Sequence, residues 1–536
     1  MEVNILVHVI GNPWRRYPDS YAWQEVKYSL DEDIECRERS LRTEEGVRAR
    51  TTIPILYKCI KPEHVMLIVQ DTILASQPRG ESYSCVIETV ESQIREFLED
   101  VSGDLYREIR DKTRIIVAPG VGRFVNKTTI NGGEVDVHIN MCGNLQDFYS
   151  YVLLRMAYNL LEVVRGSSGG GGDITLKVHL DLTHGINYMP TLTYKALLDV
   201  IPIIATYANE ERAGIGEGGD PRLRVYLATY NSEPVIPLVR GEHEYVIHVV
   251  EKLIVRSNGN LGLTPTCEAP QDTKLLAPSR RCVERLNLNV EEVSKEVNQV
   301  SKDILGKLES NPSSLSAFAG SLANGLPLLL LKTMPKTSLS YYVENLLEAY
   351  MNYINIRLTP STNSITLEVS RKAKLTRASI AIAKLLLARD LIKLRYEPEY
   401  SDDNGISLSD LQKLASIAFG WNERLRLVIA NDIRTIENRV RECSSGVACE
   451  KLQRGEWVML KEIFEESREG VGECREDFLR ESNEQRNFIQ HSGLHRCLIE
   501  VRMQNDRIMV RYNSELYKKL EDLHSIASKG LISVRI

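Results

Sequence analysis

Asp181-Leu182-Thr183-His184-Gly185-Ile186-Asn187-Tyr188-Met189-Pro190 is the stretch on which the reading of the fold turns. An alternating apolar run, 174–182, leads into it, and a helix-like run, 191–200, leaves it. A strand that ends in Thr-His-Gly and reopens as a helix forms a polar pocket at the carboxyl end of a sheet, where open α/β sheets bind ligands. The new helix presents unpaired N–H groups there, which favours phosphate. An ordinary strand-to-helix turn built on Gly185 would look the same from this stretch alone.

Working outward, short apolar strands are expected at 3–10, 65–69, 114–118 and 223–230, with a further strand near 201–207. Helices are expected at 88–98 and 148–164, while Pro54 keeps 51–60 from reading as a clear helix. Residues 31–50 read as a solvated hairpin or loop. Alternation of strand and helix, with strands apolar throughout, predicts a parallel sheet covered on both faces. Three strand ends carry glycine or polar residues: Gly11, the pair Gly120 and Gly122, and Thr183 to Gly185. In a doubly wound sheet all three gather along one edge. Two near misses are set aside. The glycine-rich run 166–172 joins helix to strand and supplies no Lys, so it is a connection and not a phosphate loop. His243 and His248 stand five apart, whereas a zinc-protease helix needs four.

The chain has 536 residues, which predicts two or three domains. Lys and Arg number 67 against 73 Asp and Glu, giving a net charge of −6, which argues against a protein that coats duplex DNA. The N-terminus lacks a basic, then apolar, signal, and the most apolar run, 328–331, is too short to span a bilayer. A cytoplasmic protein with no membrane partner is expected. The 10 cysteines include no Cys-x-x-Cys pair, so no structural zinc site is predicted. Cys267 with Cys282 and Cys443 with Cys449 lie close in sequence, as free buried thiols or as disulfides.

Composition shifts near Leu263, where Pro265, Pro270 and Pro278 mark a linker. Beyond it the sequence reads as mostly helical. Val290, Val293, Val297, Val300, Ile304 and Leu308 make a heptad-like stripe, suited to a core, a domain contact or a dimer. Helices follow at 315–331, broken at Pro327, and at 341–358, 374–394, 407–418, 423–441, 456–467 and 474–490. Strands are expected again only at the end, as a hairpin of 499–503 and 507–512. The predicted domains are therefore 1–262, an α/β Rossmann-like unit; 263–400, a linker and helical middle region; and 401–536, a mainly α-helical unit with a small β-hairpin.

The last helix carries Arg486-Asn487-Phe488-Ile489-Gln490-His491, stopped by Gly493. Asn487 and His491, four apart, share a face, and the long Arg486 side chain can reach round. Arg forks onto phosphate, His moves protons near neutral pH, and Asn can orient either partner. Such a set suits phosphodiester cleavage by the 2′-hydroxyl of RNA, leaving a 2′,3′-cyclic phosphate and needing no metal. His495, beyond the glycine, is the weaker candidate.

Both anchors coincide in one family: the chain resembles the CARF–HEPN ribonucleases of type III CRISPR systems. The 181–190 stretch looks like that family's second ligand-binding motif, Gly11-Asn12-Pro13-Trp14 like its first, and Arg486 to His491 matches the HEPN pattern Arg-Asn-x-x-x-His. The resemblance covers nearly the whole chain. It implies a CARF sensor for cyclic oligoadenylate, with cyclic tetra-adenylate as allosteric activator and Gly11, Asn12, Pro13, Trp14, Gly120, Gly122, Thr183, His184, Gly185 and Asn187 at the ligand. It implies a metal-independent HEPN endoribonuclease acting on single-stranded RNA through Arg486, Asn487 and His491, with no cofactor for catalysis. A two-fold ring and a composite catalytic site imply a homodimer or higher oligomer. The rival is a ligand-sensing transcription regulator with a DNA-binding helical domain. A third reading, a sensor that cleaves its own ligand, would use Thr183, His184 and Lys195.

Overall fold

The computed structural model describes residues 1–13, 25–36, 38, 41, 46–74, 78, 80, 82–130, 133–167, 174–185, 188–207, 223–232, 244–255, 274–308, 312–361, 364–465, 482–513 and 515. Trp14, Asn187, His243, Cys267 and most of the glycine run 166–172 lie outside them.

Strands β1 (Glu2–Val9), β2 (Val26–Leu30), β3 (Val47–Ala49), β4 (His64–Gln70), β5 (Thr113–Ala118), β6 (Gly122–Ile130), β7 (Gly133–Cys142), β8 (Ile174–Asp181), β9 (Leu223–Ser232) and β10 (Glu244–Val255) build the first half. Eight of them form one sheet in the order β3-β2-β10-β9-β8-β1-β4-β5. The five strands β9-β8-β1-β4-β5 run parallel, and β10 is antiparallel to β9. The chain runs outward from β1 through β4 to β5, then returns to the other side of β1 as β8. The order reverses between β1 and β8, and a crevice opens there at the carboxyl ends of the strands.

Helices α1 (Ile53–Ile60), α2 (Tyr83–Ser102), α3 (Tyr106–Lys112), α4 (Leu145–Ser167) and α5 (Tyr188–Tyr207) cover the sheet. Alternate residues of β1 serve opposite layers: Ile5, Val7 and Val9 pack with α4 and α5, while Leu6 and Ile10 pack with α1 and α2. Burial on both faces is why these strands read as unbroken apolar runs. Two expectations are corrected here. Residues 201–207 continue α5 and are not a strand, despite Pro202 and a run of β-branched side chains. Residues 53–60 are a helix, because Pro54 sits in its first turn, where no N–H is needed.

Beyond the first half come α6 (Arg280–Arg285), α7 (Val290–Lys307), α8 (Pro312–Asn324), α9 (Pro327–Thr333), α10 (Leu339–Asn352), α11 (Arg377–Arg395), α12 (Leu408–Ala418), α13 (Glu423–Glu442), α14 (Val447–Gln453), α15 (Leu460–Glu465) and α16 (Ser482–Gln490). The predicted break falls between α8 and α9, with Gly325 at φ +69°. The expectation of strands only at the end does not hold. β11 (Leu276–Pro278), β12 (Ile354–Pro360), β13 (Ser364–Arg371) and β14 (Ala373–Leu375) lie in the middle region, and α10 stops at Asn352 instead of running to 358. β12 and β13 form a hairpin whose second strand pairs in parallel with β7, so one four-stranded sheet, β12-β13-β7-β6, spans both halves. β15 (Ile406–Ser407), β16 (Val458–Met459), β17 (Ile499–Gln504) and β18 (Arg507–Tyr512) make a further four-stranded sheet, larger than the hairpin expected.

Disulfides join Cys443 to Cys449 and Cys282 to Cys142, 140 residues earlier. The pairing of Cys282 with Cys267 is thereby corrected: the β7–β13 pairing brings the end of β7, and with it Cys142, to α6. Among the described residues no helix is long and apolar enough to cross a membrane.

Candidate functional site

At the β1/β8 crevice, Asp181 ends β8 fully buried. His8 Nδ1, from the end of β1, lies 2.7 Å from its Oδ2, and the Thr52 hydroxyl donates to the same oxygen. Its Oδ1 accepts from the Thr183 backbone at 3.0 Å and the Thr183 hydroxyl at 2.7 Å. Burial alone would lift the Asp181 pKa; the His8 imidazole, with His184 and Thr52, more than offsets this and holds the carboxyl well below its usual range. Asp181 is thus an anchor that shapes the loop and not a proton carrier.

The loop that Asp181 holds carries Thr183, His184 and Gly185. Gly11 donates its N–H to the His184 carbonyl at 2.8 Å, so the two glycine-bearing strand ends are tied together across the crevice. The Thr52 N–H points to His184 Nε2 at 3.2 Å, which leaves the ring proton on Nδ1. Burial, reinforced by His8, pushes this imidazole down to about 3, so it is neutral at physiological pH. A side chain at position 185 would collide with Pro190 at 2.3 Å, so only glycine lets the strand turn this tightly into α5. The N-terminal turn of α5 faces this edge, and its unpaired N–H groups suit an anion.

Gly120 follows β5, two strand spacings or about 10 Å from β1. Its N–H donates to Asp71 Oδ1 at 2.8 Å, and a side chain there would meet Thr72 at 2.3 Å. Gly122 opens β6. The edge therefore brings together Gly11, Asn12, Pro13, Thr183, His184 and Gly185, with Gly120 and Gly122 flanking them. Asn12 and Pro13 are buried. Lys195 turns away from this loop along α5 and pairs with Asp199 at 3.2 Å.

The second site lies at the end of α16. Phe488 is fully buried and fixes the helix, leaving Arg486 exposed and Asn487 half-buried. The backbone reverses through Ser492 at φ +53° and Gly493 at φ +74°, and the Gly493 N–H caps the Phe488 carbonyl at 2.8 Å. His491 follows the last helical residue, and its side chain is 59% exposed. Its Nδ1 stands 3.4 Å from Asp432 Oδ1 on α13, and Asp432 Oδ2 accepts from the Ser492 hydroxyl at 3.0 Å. The Asp432 hydrogen bond raises the His491 pKa. An orienting carboxylate behind one nitrogen leaves Nε2 directed outward, the arrangement of a general acid or base. His495 is buried against Glu484, and burial lowers its pKa.

These two sites coincide with two family matches. Residues 5–234 match the model described as CRISPR system endoribonuclease Csx1, CARF domain. Residues 422–514 match that described as CRISPR system endoribonuclease Csx1, HEPN domain. The chain belongs to the CARF–HEPN family of CRISPR ribonucleases. A curated relative, CRISPR system endoribonuclease Csx1 from Methanocaldococcus jannaschii, is 24% identical over 493 residues, covering 91% of this chain and 85% of its own length.

Within the CARF–HEPN frame, several residues escaped the sequence reading. His8 left a signal, an ionisable side chain at the carboxyl end of an apolar strand. Asp432 left almost none: it is one charge among many on α13, and only the fold brings it 59 residues forward to His491.

Proposed function

We propose that this protein is a metal-independent endoribonuclease that cyclic oligoadenylate, with cyclic tetra-adenylate the leading candidate, switches on in CRISPR antiviral defence. The Methanocaldococcus relative is named an endoribonuclease, and the proposal carries that activity to this chain. The observation that bears most weight is the Asp432–His491 pair at the end of the helix that presents Arg486 and Asn487.

In the proposed reaction the RNA 2′-oxygen loses its proton to water and attacks the adjacent phosphorus. The bond from phosphorus to the 5′-oxygen breaks, and protonated His491 gives its proton to that oxygen. The Asp432 carboxylate favours the protonated form of His491. Arg486 and Asn487 hold the non-bridging oxygens, where negative charge builds up. One 2′,3′-cyclic phosphate end and one 5′-hydroxyl end result. Exposure of Arg486 and His491 in a single copy is consistent with a homodimer in which two such sets face one RNA. At the CARF edge, the α5 N-terminus would take phosphates of the ring, Gly11, Gly120 and Gly185 would let the ring approach the backbone closely, and neutral His184 would lie beside it. The protein would act in the cytoplasm on single-stranded RNA.

The test is end-group analysis of RNA cut in a chelator. Products ending in 2′,3′-cyclic phosphate, with cleavage down ~10²-fold or more in His491→Ala, are expected. Products with 3′-hydroxyl ends, or full activity in the variant, would refute the assignment.

A further inference from the structure

Between the ligand edge and the helical half lies a charged cluster that neither site uses. Arg371, the last residue of β13, is fully buried, and so is Asp71, the first residue after β4. The Arg371 guanidinium donates from Nη2 to Asp71 Oδ2, and from Nη1 to the Gly120 carbonyl at 2.7 Å. Asp71 in turn accepts from Gly120 N and, at 2.6 Å, from the Tyr83 hydroxyl. Arg371 from the middle region and Asp71 from the end of β4 together clamp Gly120 after β5, one at its carbonyl and the other at its N–H. The fit is close: a side chain on Gly143 would meet Arg371 Nη1 at 2.9 Å.

Stability does not account for this pair. Removing two charges from water offsets most of their attraction, and buried pairs replaced by apolar side chains often leave folds as stable as before. What such a pair does supply is one definite arrangement of the groups it joins. Here those groups belong to two systems. On the sensor side, Gln70 donates to the Tyr188 hydroxyl at 2.7 Å, and Tyr188 opens α5 directly after the His184 loop. On the other side, β14 begins two residues after Arg371 and α11 two residues after β14. The Leu375 N–H is held by buried Asp147 at 2.8 Å, beside the same guanidinium. α11 packs against α12, and α12 against α13, which carries Asp432.

We infer that Arg371 and Asp71 are positioning residues that tie the Gly120 loop to the β13–α11 segment, so that a ligand which moves this loop also moves the helices behind His491. Contiguity alone does not make a coupling path. The clamp is singled out because it is ionic, fully buried, joins residues 300 apart, and touches the ligand-edge backbone itself. The inference rests on ligand activation as proposed above.

The experiment compares wild type with the double variant Asp71→Asn/Arg371→Met, which removes both charges together and strands neither. The amide oxygen introduced at position 71 would still accept from Gly120. Three quantities are read: binding of labelled cyclic tetra-adenylate, melting temperature, and RNA cleavage with and without the ring. The expected result is a folded protein that binds the ring within about tenfold of wild type, a window set by reciprocal linkage between the two sites. Its ligand-dependent rise in cleavage should be at least tenfold smaller. A folded, binding variant with the full rise would overturn the inference. Should the double variant not melt cooperatively, Arg371→Lys keeps the charge and loses the two-pronged contact; it should fold and lose most of the rise, and full activation there would overturn the inference equally. A wild type that the ring does not activate would instead sink the proposed function, and the two failures are thereby distinguishable.

Discussion

The two candidate sites are built in opposite ways. At the CARF edge, polar groups are buried or half-buried and in contact with one another: Asp181 meets His8, Thr52 and Thr183, and His184 meets Thr52 and Gly11. At the HEPN end, His491, the proposed catalytic histidine, is more exposed than not and has a long contact to Asp432. A closed, internally bonded edge changes shape only in discrete steps, as an input requires. An open histidine with one orienting partner leaves room for the substrate and second copy proposed above. The contrast fits the proposed division of labour, a ligand at one end and an alignment at the other.

Three substitutions break or sharpen that contrast. The largest effect is expected at the closed edge. Asp181→Ala strands His8 without its carboxylate and should cost roughly 3–5 kcal/mol, seen as a large drop in melting temperature together with loss of ring binding. An unchanged melting temperature would mean the edge is not the tightly bonded unit described. Next comes Asp147, the buried carboxyl beside the clamp, which burial pushes up to about 6. A raised carboxyl binds its proton more tightly folded than unfolded, so it lowers stability as pH rises from about 4 to about 6. Asp147→Asn, which still accepts from Leu375, should therefore melt higher than wild type at pH 7.5, by at most about 3 kcal/mol in stability. The gap should close near pH 4, and a gap that does not vary with pH would contradict the account.

The smallest effect belongs to the open site. Asp432→Asn removes the carboxylate that raises the His491 pKa. With His491 as general acid, activity is present below its pKa and lost above it. The alkaline limb of the kcat/KM profile should move to lower pH, with about a tenfold loss at neutral pH, a change of ~1.4 kcal/mol. A profile that falls in height without moving would assign Asp432 a purely structural role.

Legibility followed sequence distance. β1, β4 and β5 could be read because strands buried on both faces are near-continuous apolar runs, β8 because its apolar residues alternate, and the break before α9 because Pro327 cannot continue a ladder. The end of α5 could not, since Ile201, Ile203, Ile204 and Thr206 favour strands in isolation and only burial beneath α4 and α11 makes them helical. The β12–β13 hairpin was hidden because β13 docks on β7, more than 200 residues earlier. The motif residues Thr183, His184, Arg486 and His491 stood out as punctuation at element ends. Of their supports, His8 left the faint signal of an ionisable residue at a strand end, whereas Thr52 and Asp432 carry no pattern of their own and become visible only when the sheet and α13 bring them alongside.

Under the proposed function the closed edge governs the open histidine. The most direct measurement is the rate of labelled-RNA cleavage in a metal chelator, with and without cyclic tetra-adenylate, for wild type and His491→Ala. The account predicts cleavage that rises with the ring in wild type and is absent from the variant under both conditions. Wild-type cleavage indifferent to every cyclic oligoadenylate, or a variant as active as wild type, would contradict it.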